Sequence, residues 1–281
     1  MEIEKLEDKI VIKHKDDFNI EEILNSGQVF SYSKTSDNSY VVISGEKFAN
    51  IIFSATETTI ESEDVDFFYD YFDLDCDYKK IQREILKLMP DFDRFFRGGN
   101  SIRILHQEPA QTIISFIVSA NNNIKRIKNF LIHLSEKFGE KLPCGFYSFP
   151  SLAQLSGATF ADFDALKAGY RSAYLLDTIK KLSTQEFDIK NLEKLSTKDL
   201  KTKLITLRGV GPKVADCILL FSFKRSDVFP VDTWIRKSFA LFSNEEKNDG
   251  QIERYFLSIF KEYSGFAQQY LYNFMLHKNL K

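Results

Sequence analysis

A chain of 281 residues with 43% hydrophobic content has room for one large or two modest domains around a real core. Its 38 basic residues face 40 acidic ones, a net charge of −2, so no global positive field announces a polyanionic partner. Cys76, Cys144 and Cys217 are too few and too scattered for a disulfide framework, a zinc pattern or the four thiolates of an iron–sulfur cluster, and no apolar run approaches the roughly 18 residues of a membrane span. With a charged start and no signal-peptide pattern, the expected setting is reducing and intracellular (cytoplasm or nucleoid, if bacterial), with no membrane partner.

Residues 40–44, 49–55 and 58–63 alternate in polarity and are separated by Ser-Asp-Asn-Ser and Gly45-Glu46, so they read as antiparallel strands. The period then changes. Ile81, Ile85 and Leu88 predict a helix closed by Pro90; Ile124, Ile127, Leu131, Leu134 and Phe138 predict another closed by Gly139. Ser148-Phe149-Pro150-Ser151 and Ala168-Gly169 punctuate further helical runs. An N-terminal antiparallel sheet followed by a mainly helical region is an α+β arrangement. The expected division is 1–95 and 96–281, with the joint at 92–100 around Gly98-Gly99.

The densest chemistry lies in Leu207-Arg208-Gly209-Val210-Gly211-Pro212-Lys213. Upstream, Ser196-Thr197-Lys198-Asp199 has the form of a capping box, and Leu200, Leu204 and Ile205 follow at helical spacing. Pro212 suits a first helical turn, and Val214, Ile218 and Leu219 give the next helix an apolar face. Gly209 and Gly211 can adopt positive φ and let a phosphate approach the main chain, so the turn reads as a helix–hairpin–helix that grips a backbone without reading bases. An ordinary corner between two helices has the same local pattern.

Lys213 stands in the first turn, where the helix dipole disfavours a positive charge; its proton affinity should be lowered, as suits a Schiff-base nucleophile. A solvated surface lysine is the competing reading. Nineteen residues on, Phe229-Pro230-Val231-Asp232 precedes Thr233-Trp234-Ile235, and Asp232 has the position of an N-cap.

Hairpin, lysine and Pro-Val-Asp resemble the 8-oxoguanine DNA glycosylases and AP lyases of the helix–hairpin–helix superfamily of base-excision enzymes. Further segments carry the same resemblance: Leu24-Asn25-Ser26-Gly27-Gln28-Val29-Phe30, Tyr71-Phe72-Asp73-Leu74-Asp75, Leu105-His106-Gln107-Glu108-Pro109, 115–127 with Asn121-Asn122-Asn123, Ala168-Gly169-Tyr170-Arg171, and Gly265-Phe266-Ala267-Gln268-Gln269-Tyr270-Leu271-Tyr272. By this resemblance the substrate is double-stranded DNA carrying 8-oxoguanine opposite cytosine, and the enzyme a monomer that needs no cofactor and carries no iron–sulfur cluster. Lys213 is the nucleophile and Asp232 its partner. Tyr272 and Cys217 sandwich the flipped purine, Gln268 bonds its Watson–Crick edge, and the Gly27 carbonyl accepts the N7 proton. Tyr170 wedges the stack, while Asn121, Arg126 and Arg171 receive the orphaned cytosine. Gly209 and Gly211 contact phosphate, and the carbonyls of Ile205, Leu207 and Val210 form a structural cation site.

Local basic patches would have to replace the missing global field, and Lys125, Arg126, Lys128 and Arg171 are suited to that. In this chain Trp234 stands where the familiar eukaryotic members have histidine, Tyr272 where they have phenylalanine, and His106 where the family has arginine. Two other readings stay open: a monofunctional glycosylase for alkylated bases, and a non-enzymatic DNA-binding helix–hairpin–helix protein. Lys213 separates all three.

Overall fold

In the computed structural model, residues 2–13, 18–96 and 101–278 are described. Six antiparallel strands, β1 (Glu2–Lys5), β2 (Lys9–Lys13), β3 (Tyr32–Ser36), β4 (Ser39–Ser44), β5 (Lys47–Phe53) and β6 (Glu57–Glu61), form one sheet in the order β1-β2-β6-β5-β4-β3. Its register lines up Ile10 with Ile60, Ile60 with Ile51, and Ile51 with Tyr40. One face is therefore apolar by the two-residue period of the strand. Helices α1 (Ile20–Asn25) and α2 (Val65–Tyr71) cover it through Ile20, Ile23, Leu24, Phe68 and Tyr71.

The rest of the chain is helical: α3 (Tyr78–Leu88), α4 (Asp93–Phe96), α5 (Pro109–Ser119), α6 (Ile124–Phe138), α7 (Leu152–Leu155), α8 (Phe160–Ala165), α9 (Arg171–Leu182), α10 (Ile189–Leu192), α11 (Thr197–Ile205), α12 (Pro212–Ser222), α13 (Thr233–Ser238), α14 (Asp249–Phe260) and α15 (Ser264–Lys278). This is the α+β arrangement that the change of period implies. Among the described residues no helix is long and apolar enough to cross a membrane. The stretch 90–96 turns helically, through a 3-10 turn at Pro90–Phe92 into α4; the Gly98-Gly99 part of the expected joint lies outside the described residues.

Two buried helices organise the helical part. Residues 111–118 of α5 and 214–222 of α12 are buried without a break, so both helices are wrapped on all sides. They pack on each other at the centre of one core, with α6, α9 and α11 around them. A second core joins α3 to α13, α14 and α15 through packed rings; Phe256 stacks on Phe229 at 4.4 Å and meets Phe242 edge-to-face at 5.0 Å between ring centroids.

Candidate active site

The hairpin is built as its residues require. Ser196 caps α11 by accepting the Asp199 amide at 3.1 Å, and its hydroxyl reaches the Asp199 carboxylate at 2.7 Å. After α11 the chain turns through a bond from the Val210 amide to the Leu207 carbonyl, 3.1 Å. Gly209 has φ +92, and a Cβ there would lie 2.8 Å from the Tyr174 ring and 3.3 Å from Ile117, so both torsion and packing demand glycine. Gly211 departs from the expectation of positive φ. It caps α12 with φ −90, and nothing within 4 Å would meet a Cβ. No side chain caps α12, unlike α11 and α13, which leaves the amides of its first turn directed outward.

Two side chains of α9 hold the hairpin from beneath: Lys181 donates to the Thr206 carbonyl at 2.9 Å and Thr178 to that of Arg208 at 3.3 Å. The carbonyl between them, that of Leu207, belongs to the expected cation set; it accepts the Val210 amide and keeps a second lone pair. Among the described residues no cluster of His, Cys, Asp or Glu could hold a metal ion.

Lys213 occupies the first turn of α12, half-buried, with its amine 5.5 Å over the Phe116 ring and hydrogen-bonded to Cys217 one turn along. Its proton affinity corrects the sequence expectation. Burial works against the ammonium, but the Cys217 sulfur and the Asp232 carboxylate outweigh it, and the pKa lies above the ordinary lysine value. The dipole argument failed because it weighed the backbone alone, whereas the side chains of Cys217, one turn along the same helix, and of Asp232, at the start of α13, outweigh it. Burial pushes the Cys217 thiol up to about 11, so at neutral pH it is an apolar wall.

Asp232 caps α13, its Oδ1 accepting the Ile235 amide at 2.8 Å. Burial raises its pKa, against the pull of the Ile235 and Trp234 amides and of Lys213. Trp234 is half-buried, with the Lys237 amine 4.9 Å over its ring.

From the other side, α15 supplies Gln268 and Tyr272. Gln268 is 4% exposed, and its Oε1 is buried with no hydrogen-bond partner among the described residues. The Tyr272 phenol is raised by burial and then by Asp232 and Cys217, which places its ring beside both. Gly27 sits against that ring with φ +75; a Cβ there would meet the Tyr272 hydroxyl at 2.8 Å. Lys213, Cys217, Asp232, Tyr272 and Gly27 thus come together, with Gln268 one turn from Tyr272.

The groups that hold the Gly27 turn in place were missed as site residues. Gln28 Nε2 donates to the Arg103 carbonyl and its Oε1 accepts the Leu105 amide, both at 2.8 Å. Gln107 donates to the Gln28 carbonyl at 2.7 Å, and Gln269 to that of Ser26 at 3.0 Å. All three glutamines are buried, and the one available signal was their placement inside apolar motifs. His106 stands beside this ladder, 3.6 Å from Asp70 and 3.7 Å from Asp73, with its pKa lowered by burial.

The remaining predicted residues form a second cluster. Tyr170 is 55% exposed at the start of α9, its ring 5.6 Å from Tyr174, and the Arg171 guanidinium lies 4.4 Å from the Tyr170 ring. Arg171 Nη2 donates to the carbonyls of Ala120 and Asn121. Asn121 is exposed with φ +51, and Arg126 opens α6 where Asn123 accepts its amide at 2.9 Å. A cavity of about 540 Å³ is lined by Asn122, Arg126, Asn129, His133 and Arg171 among others. Tyr174 connects the clusters, touching Tyr170 on one side and Gly209 on the other. Lys128 is the exception among the basic residues: its amine lies 3.3 Å above the Tyr32 ring, and burial lowers its pKa to about 8. It packs on the sheet rather than standing free beside Arg126.

Residues 10–113 match the family model of the 8-oxoguanine DNA glycosylase N-terminal domain, and residues 114–262 that of the HhH-GPD superfamily base excision DNA repair proteins. The N-glycosylase/DNA lyase OGG1 of Arabidopsis thaliana is 31% identical over 218 residues, covering 72% of this chain; that stretch is 60% of the relative's length. The 8-oxoguanine glycosylase/lyase of Clostridium acetobutylicum, solved with double-stranded DNA containing cytosine opposite 8-oxoguanine, is 33% identical, covers 99% of both chains and superposes with a TM-score of 0.91. The 3-methyladenine DNA-glycosylase of Archaeoglobus fulgidus, at 15% identity and TM-score 0.76, shares the fold. The chain belongs to the HhH-GPD superfamily of base excision DNA repair proteins and carries an 8-oxoguanine DNA glycosylase N-terminal domain.

Proposed function

We propose that this protein is a bifunctional DNA glycosylase and AP lyase that removes 8-oxoguanine from duplex DNA and nicks the strand 3′ to the abasic site. The observation that carries this reading is a half-buried lysine amine set between a thiol and a half-buried aspartate, opposite a helix that offers an aromatic face and an unsatisfied amide oxygen. The two relatives at 31% and 33% identity are described as N-glycosylase/DNA lyase and 8-oxoguanine glycosylase/lyase.

The pocket suits a flat, polar-edged ring. Cys217 and Tyr272 supply two apolar walls, and Gln268 Oε1, which has no partner within the protein, gains one from a base edge. The Gly27 carbonyl would accept the extra proton at N7 of the oxidised purine. A stacked duplex hides that base, so the nucleotide must leave the helix. Tyr170, exposed on its Gly169 corner, is the wedge; Asn121, Arg126 and Arg171 offer donors to the cytosine left behind. The unencumbered Gly211 and the uncapped first turn of α12 grip a phosphate. A cation on the carbonyls of Ile205, Leu207 and Val210 would brace that grip without entering the chemistry.

Lys213 rests as an ammonium and must first lose a proton. The neutral amine then bonds to C1′ while the bond from C1′ to the base breaks and the base leaves with the electron pair. Asp232 stabilises the positive charge that develops on the sugar. Ring opening gives the Schiff base; removal of a C2′ proton expels the 3′ phosphate with its electron pair.

Borohydride added to wild-type protein and a duplex carrying 8-oxoguanine opposite cytosine should trap a covalent adduct, and Lys213→Gln should give none. No adduct from the wild type would leave the monofunctional and binding-only readings. Asp232→Asn should slow base release in single-turnover assays while duplex affinity stays within about tenfold, roughly 1.4 kcal/mol. A collapse of affinity alongside catalysis would mean that the cap is the residue's whole role. Arg126→Ala and Arg171→Ala should each weaken the preference for cytosine opposite the lesion; an unchanged opposite-base profile refutes the assigned contacts.

A further inference from the structure

One buried charged cluster plays no part in the chemistry above. Asp216 lies on α12 three residues after Lys213 and immediately before Cys217, and it is 2% exposed. Its carboxylate stands 2.7 Å from the Lys201 amine of α11, which is 2.6 Å from the Glu253 carboxylate of α14. Each of three helices contributes one charge. As a clamp the arrangement is poor, because desolvation consumes most of what a buried ion pair gains, and apolar residues of equal volume serve as well. Its charges also do not cancel. One ammonium between two carboxylates leaves a net negative charge, one helical turn from Lys213.

We propose that the Lys201–Asp216–Glu253 triad is a positioning device acting through Lys213, and that its net charge sets the pH at which that amine becomes a free nucleophile. This rests on the Schiff-base reading and adds residues that never touch substrate. The groups facing Lys213 are Asp216 and Cys217 on its own helix, Asp232 at the start of α13 and the Phe116 ring of α5; Tyr272 of α15 stands against Cys217 and Asp232. Those facing Asp216 are Lys201, Glu253 and Lys213. The Asp216 charge adds to that of Asp232 in holding the lysine proton, beside the hydrogen bond to the Cys217 sulfur. Burial pushes the Asp216 carboxyl up to about 7, against the pull of Lys201, so its charge is fully present only above neutrality.

The test is the rate of cyanoborohydride trapping of an abasic duplex between about pH 7 and 9.5, for wild type, Asp216→Asn and Glu253→Gln. Removing either carboxylate should move the rising limb to lower pH by about half a unit or more, which is about threefold faster trapping at a given pH on that limb. Glu253 lies partly exposed at the rim of the triad, so its variant keeps the test alive if Asp216→Asn misfolds. Limbs that coincide with wild type in a folded variant overturn the proposal, and a lowered melting temperature with an unmoved limb identifies the triad as a brace only. Absence of any wild-type adduct overturns the Schiff-base reading and this inference together, whereas a wild-type adduct with coincident limbs overturns this one alone.

Discussion

Everything in this fold that bears on function is arranged around one amine kept half out of water between Cys217 and Asp232. A lone lysine in that position would shed its proton to escape the cost of burial. Its two partners reverse that outcome, so the amine rests as an ammonium, and under the proposed mechanism it must lose a proton before it attacks. The same two groups then take different parts. The thiol is neutral at physiological pH and is proposed as a wall; the carboxylate, pinned by the Ile235 amide, is proposed as the charge that faces the reacting sugar.

The rest of the architecture brings distant chain to that amine. Buried α12 carries it, and α15 faces it with Gln268 and Tyr272. The N-terminal part contributes through the Gly27 turn, which follows α1; Gln28 ties it to the main chain at 103–105, and the side chains of Gln107 and Gln269 donate to its own carbonyls. Each bond satisfies a buried backbone group that would otherwise cost about 1–3 kcal/mol, so the ladder cannot be loosened one rung at a time without penalty. The approach of Gly27 to the Tyr272 ring is thus a property of the whole fold.

Much of this was legible in the sequence wherever the signal is local. Strands β4, β5 and β6 declare themselves by alternation, α3 and α6 by their apolar period, and Ser196 and Asp232 by their capping positions. The short strands β1 to β3 were not read, nor was α1, whose six residues are too few to show a helical period. Helix α12 was read from Pro212 and its apolar face, but its burial on nearly every side was not, because the other faces carry no distinct period. Family motifs located the pocket residues one by one, but their mutual contacts, such as Gly27 against Tyr272, depend on pairings more than 200 residues apart. The direction of the Lys213 shift and the Lys201–Asp216–Glu253 cluster escaped because side-chain pairing between packed helices leaves no local pattern, and the glutamine ladder because it ties 26–28 to 103–107 and 269.

The central claim is that the amine of Lys213 itself bonds to the sugar. Proteolysis of the borohydride-reduced adduct followed by peptide mass mapping tests it most directly, because it reads which nitrogen carries the sugar remnant. The account predicts the modification on Lys213 within the Pro212–Ser222 helix; a remnant on Lys125, on another exposed lysine or on the α-amino group of Met1 would contradict it.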